Sequence, residues 1–166
     1  GGVITSSTSG TYTLRYGTGI ANAFREIGGV KVVGLPRTSE TQTGKGVYQV
    51  FNNGTAYWTP QGGTHFVRAG IFNAYRSKGY ERGFLGFPVS DEYSAGSGRA
   101  QEFEGGVITW SAGAGTYVLR YGTGIANAYR DLGGPRFLGV ATTAETPSGK
   151  GVFQVFDKGT AYWSAT

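Results

Sequence analysis

The sequence predicts an α+β tandem-repeat fold on three observations: a long internal repeat, paired β-type runs joined by glycine turns, and one short amphipathic segment per repeat. "YGTGIANAFR" at 16–25 returns as "YGTGIANAYR" at 121–130, and "GKGVYQVFNNGTAYW" at 44–58 returns as "GKGVFQVFDKGTAYW" at 149–163, both displaced by 105 residues. Because "GRAQEFEGGVITW" at 98–110 aligns with both copies of the second stretch, that offset is two units of about 52 residues. The units run 1–51, 52–103 and 104–156, and a further one opens at 157–166. No linker interrupts them, so 1–166 reads as a single repeat module.

The β-type runs come first in each unit. "VYQVF" and "TAYWT" flank "NNG", "AQEF" and "VITWS" flank "EGG", and "VFQVF" and "TAYWS" flank "DKG". Glycine-containing connectors of this length between such runs signal hairpins. A third run, "YTLRY", "HFVRA" or "YVLRY", leads into the helical segment. There, Ile20, Phe24 and Ile27, like Ile125, Tyr129 and Leu132, recur at i, i+4 and i+7 and give one apolar face. Ile71 and Tyr75 do the same in the second unit. Thr18 and Thr123 are candidate N-caps, and Gly28-Gly29, Gly79 and Gly133-Gly134 are stops that admit positive φ. A helix of about ten residues is marginal alone, so it must pack on its neighbours. Each unit then buries the apolar face of the next, in an array stacked or wound about a pseudo-symmetry axis.

Composition excludes several chemistries. With no cysteine there is no disulfide framework, thiolate metal site or thiol nucleophile. The single histidine, His65, cannot build a triad or a multi-histidine metal site. The glycine tripeptides lack the fingerprint of a nucleotide loop. Neither a cofactor nor a metal is implied, and no apolar run is long enough for a membrane span. The net charge of +5 comes from 15 basic and 10 acidic residues that are dispersed, so nucleic-acid binding has no patch to stand on. A chain without methionine that opens on a strand-like run reads as a piece of a longer polypeptide, with any secretion signal outside it.

Unit two carries Leu85-Gly86-Phe87-Pro88, unit three carries Gly105-Gly106-Val107-Ile108-Thr109-Trp110 and then Leu132-Gly133-Gly134-Pro135. In these motifs the chain resembles the LGFP repeat family over essentially its whole length. Departures occur at Val33-Gly34-Leu35-Pro36 and at Leu138-Gly139-Val140-Ala141. The resemblance implies an extracellular, actinobacterial cell-envelope setting, as in the C-terminal repeats of mycoloyltransferases and peptidoglycan amidases. It also implies a non-catalytic, cell-wall-binding module that holds an attached catalytic domain to arabinogalactan or peptidoglycan.

The residues themselves offer a site for such binding. Trp58, Trp110 and Trp163 occupy one repeated position, preceded by Tyr57, Thr109 and Tyr162, and Ser6 stands there in unit one. Broad rings with few rotors suit the C–H faces of sugars. Trp58, Trp110, Trp163, Tyr57, Tyr162, Arg68 and Arg120 are therefore the candidate glycan contacts, with aromatic packing at the unit seams as the alternative. On a one-sided sheet Tyr57 and Trp58 point to opposite faces, and at most one of them is core. Glu40, Glu92 and Glu145 recur after the box, with Asp91 beside one of them. Paired carboxylates hydrolyse glycosides, but recurrence in every unit favours a structural duty, such as accepting a turn N–H or pairing with Arg25, Arg76 or Arg130. No catalytic residue is assigned. The competing function is a structural spacer or protein-interaction stalk without glycan affinity. The box itself, which keeps only its glycine in all three units, reads as a packed joint.

Overall fold

The structure, a computed structural model, describes residues 2–7 and 10–164, with Ser7 as backbone only. Residues 1, 8–9 and 165–166 of the expected units lie outside the described residues. The chain opens with β1 (Gly2–Ser7) and β2 (Gly10–Arg15), followed by α1 (Gly19–Glu26) and the single turn α2 (Val30–Val33). Next comes an antiparallel sheet in chain order, β3 (Thr41–Thr43), β4 (Gly46–Phe51), β5 (Gly54–Thr59) and β6 (Gly63–Val67). The helix α3 (Ala69–Ser77) and a 3-10 turn at Tyr80–Arg82 lead into the next sheet. That sheet holds β7 (Tyr93–Ala95), β8 (Gly98–Phe103), β9 (Gly106–Ser111) and β10 (Gly115–Arg120). After α4 (Gly124–Asp131) and α5 (Pro135–Leu138), β11 (Thr146–Ser148), β12 (Gly151–Phe156) and β13 (Gly159–Ser164) form three strands.

The expected α+β tandem repeat is what the chain forms. Each hairpin turns on the connector read in the sequence, for instance with Phe51 opposite Gly54 and Val47 opposite Trp58. The short β3, β7 and β11 were not legible, because three residues carry no periodicity. A frame cut at Phe51 or Phe103 passes through the β4–β5 or β8–β9 turn. A frame that begins at the box leaves every sheet whole.

Helices and sheets alternate along the array. The β3–β6 sheet meets α1 through Phe51, Ala56 and Phe66, which join Ile20 and Phe24 in one core. Its other face meets α3, where Tyr57 and Val67 pack with Ile71 and Tyr75. The β7–β10 sheet likewise offers Phe103 and Ile108 to α3, and Val107 and Leu119 to α4. Every interior helix thus lies between two sheets, which supplies the packing that eight or nine residues need. A buried aromatic or branched side chain at these positions contributes about 1.5–3 kcal/mol.

The box is the joint of this arrangement. Gly34, Gly86 and Gly139 have φ of 78°, 66° and 76°, where a side chain is strained. The last box residue bridges the end of the hairpin's first strand: Pro36 to Phe51, Pro88 to Phe103 and Ala141 to Phe156. Leu85 and Phe87 are buried. The Tyr75 hydroxyl donates to the Gly86 carbonyl (2.8 Å), and Tyr129 donates to that of Gly139 (2.5 Å). Burial pushes both phenols well above their ordinary range, so they stay protonated and keep donating. The hairpin turn closes the joint from below: Glu104 accepts from the Phe87 N–H and Asp157 from the Val140 N–H. Lys45, on the turn between β3 and β4, holds Glu104 at 2.5 Å.

Candidate binding sites at the unit seams

Three tryptophans mark three equivalent seams. Each stands near the end of a strand and lays its indole against the first-turn glycine of the preceding helix: Trp58 on Gly19, Trp110 on Gly70 and Trp163 on Gly124. Glycine is needed there for closeness. A Cβ on Gly19 or Gly124 would overlap the indole, and one on Gly70 would lie 3.1 Å from Trp110 Cδ1. The rings are therefore seam contacts, and each still shows solvent a part of its surface: Trp58 is half-buried, Trp110 is 37% exposed and Trp163 45%.

At the first seam this geometry forms a small site. Trp58, Val47 and Ile20 provide apolar walls, and Thr18 and Glu40 polar ones, around a cavity of about 310 Å³. Thr18 does two tasks, accepting from the Ala21 N–H as helix cap (3.3 Å) and donating to Glu40 Oε1 (2.8 Å). Glu40 keeps further lone pairs for a ligand hydroxyl. An aromatic face beside a fixed carboxylate can hold a sugar by stacking and by a hydrogen bond.

The second seam is rebuilt. "RYGTG" of the first and third units is shortened to Arg68-Ala69-Gly70, which removes both the capping threonine and the tyrosine before it. Arg99 takes the place of Val47 and pairs with Glu92. Glu92, Arg68 and Arg99 line a cavity of about 730 Å³. Among the described residues the recurring glutamates form no salt bridge with Arg25, Arg76 or Arg130, one of the two structural duties expected of them. Arg25 and Arg130 lie instead over Tyr16 and Tyr121, at 5.4 and 4.9 Å. Asp91 is bonded to His65 Nδ1 (3.2 Å), and that contact holds its carboxyl below the ordinary aspartate range.

The structure separates the candidate contacts. Tyr57 is corrected as a ligand contact: at 3% exposure its ring packs edge-on to Tyr75 and Phe87 in the core. The one-sided sheet behind that expectation is corrected too, since helices cover both faces. Tyr162 is 74% exposed on β13, beside Trp163 in a shallow depression. Arg120 is exposed and stacks on Phe84 at 4.9 Å. Arg68 has its stem against Gly54 and its Nε buried. Gln49, Gln101 and Gln154 do serve the joint, donating to the carbonyls of Thr38, Ser90 and Thr143 at 2.9 Å. Glu40, which completes the Trp58 site, was visible as a recurring carboxylate but was not joined to the tryptophan. The pair is separated in sequence and meets only across the seam.

The LGFP repeat model matches residues 33–83, 85–136 and 138–166. The chain belongs to the LGFP repeat family. No curated protein matches it. LGFP repeats are associated with the cell envelope and, as repeat-only domains, are typically non-catalytic. Among the described residues no helix of this LGFP chain is long and apolar enough to cross a membrane.

Proposed function

We propose that this LGFP module is a non-catalytic, cell-wall-binding domain that contacts a glycan, arabinogalactan or peptidoglycan, at its unit seams. In this reading 1–166 is one repeat module that anchors an attached enzyme outside the cell. The observation that carries it is the half-buried Trp58 facing the Glu40 carboxylate and the Thr18 hydroxyl in one cavity. Trp110, and Trp163 with Tyr162, repeat the aromatic part of that arrangement; Arg68 and Arg120 flank the seams. Repeated weak contacts on a polymer gain through effective concentration, so millimolar single sites are enough for retention.

The test is tryptophan emission during titration with solubilised arabinogalactan and, separately, peptidoglycan fragments. Saturable quenching that Glu40→Gln weakens roughly tenfold supports the reading. No response to either polymer sinks it. A second reading, the glycan-free structural spacer, is favoured by the close seat of each tryptophan on a helix glycine. It predicts that Trp58→Ala lowers stability and that no glycan alters the emission.

A further inference from the structure

Unit two lacks two residues that its siblings have before the helix, and a cavity lies there. In units one and three the loop before the helix carries Tyr16 or Tyr121, each beneath an arginine of its helix. Tyr121 is half-buried, and the negative charge of Glu102 acts on its hydroxyl. The counterpart of Glu102 in the β3–β6 sheet is Val50, and unit two has no such tyrosine. Over Val50, Thr55 and Phe72 lie two adjoining cavities of about 730 and 620 Å³.

The larger cavity is lined by Arg68. Arg68 crosses Gly54 so closely that a Cβ there would be 2.6 Å from its Cγ, which fixes the direction of the side chain. Its Nε is buried and has no hydrogen-bond partner. Among the described residues Arg68 makes no salt bridge. Of the acids nearby, Glu92 pairs with Arg99 and Asp91 with His65, and Arg68 acts on Asp91 through its charge without forming a salt bridge. A guanidinium that is in no salt bridge keeps its charge for an anionic acceptor entering the cavity. The planar fork of arginine suits carboxylate and phosphate oxygens. Asn73 stands beside it, and Phe72 supplies an apolar floor on which a sugar ring can lie.

We propose that this cavity is an anion-binding subsite for a carboxylate- or phosphate-bearing sugar of a polymer, with Arg68 as the cation that reads the charge. It goes beyond the tryptophan reading in place and in chemistry, and the two fail separately: a neutral glycan tests the Trp58 seam, and an acidic probe tests Arg68.

The experiment follows the Arg68 Nε–H signal in proton–nitrogen NMR spectra of the whole chain. The probes are tetragalacturonate, glucose 6-phosphate and a neutral arabino-oligosaccharide. The expected result is a saturable shift with one or both acidic probes and none with the neutral one; the stronger acidic probe identifies carboxylate or phosphate. Arg68→Gln weakens that binding about tenfold or more, whereas Arg130→Gln, the same charge change on the exposed partner of Tyr121, leaves it within about twofold. Arg68→Lys keeps the charge without the fork and falls between them. No shift up to about 10 mM acidic probe, or equal weakening by Arg68→Gln and Arg130→Gln, overturns the proposal. If Arg68→Gln does not fold, the wild-type shift and Arg68→Lys decide it.

Discussion

The seams at Trp58 and Trp110 are built from equivalent residues and finish differently. At Trp58 the loop is long, Thr18 caps the helix, Glu40 faces the ring, and the cavity is small. At Trp110 the loop is two residues shorter, α3 has no side-chain cap, Glu92 is tied to Arg99, and the cavity that Glu92, Arg99 and Arg68 line, without the indole, is more than twice as large. The backbone shows the cost of the shorter loop. Ala69 sits at φ 49°, although units one and three use Gly17 and Gly122 for positive φ. Tyr80 likewise sits at φ 56° where the siblings have Gly29 and Gly134 at 59° and 58°. Non-glycine residues held there cost about 1–3 kcal/mol each. One repeat has therefore given up local comfort and gained an arginine-lined cavity, while the helix–sheet packing around it is unchanged.

Several substitutions sharpen or break this comparison. The largest effect belongs to the shared framework: Tyr57→Ala is expected to cost about 3–5 kcal/mol in urea unfolding, because it empties the core between sheet and helix. A loss below about 1 kcal/mol would mean that the two-faced sheet is not the stabilising unit. Next come the two helix glycines. Gly19→Ala overpacks Trp58 and is expected to cost about 1–3 kcal/mol. At Gly70, where the indole is 3.1 Å from a new Cβ, the gain in helix propensity, up to about 1 kcal/mol, largely offsets the strain. Equal losses at both glycines would erase the difference between the seams.

Ala69→Gly is expected to stabilise by up to about 1 kcal/mol, since relief of the left-handed strain exceeds the added chain entropy of glycine. A stabilised variant with intact acidic-probe binding would show that the strain is a by-product of the short loop. The smallest effect is pH-dependent. The Asp91 carboxyl is held below its ordinary value of 3.8, first by the His65 hydrogen bond. Its contribution is therefore fully present above about pH 4 and is lost as pH falls through the lowered value. The side chain is 68% exposed, so solvent screens the effect. Urea midpoints measured down to about pH 2 are expected to fall slightly more steeply for the wild type than for Asp91→Asn. Parallel curves would show that the His65 contact is not formed in solution.

Most of the fold was legible because its signals are local. Hairpin connectors, helical spacing and glycine stops act over a few residues, and the repeat presents each of them two or three times. Much less of the site was legible. The tryptophan position was visible, but its seat on Gly19 joins residues 39 apart, and Glu40 reaches it from yet another segment. Tyr57 shows the limit most clearly. Alternation correctly puts it opposite Trp58, but alternation is silent on whether the opposite face is covered.

The sequence by itself determined the unit length, the strand–helix order and the box as a turn, since these rest on backbone preference and short-range spacing. It also contained the two-residue deletion before α3, in plain view. Only the tertiary structure decided that each helix would be covered by two sheets, that Tyr57 would be core and Tyr162 surface, and that the deletion would leave Arg68 facing a cavity. Burial and charge pairing depend on which segments meet, and these segments are not neighbours in the chain.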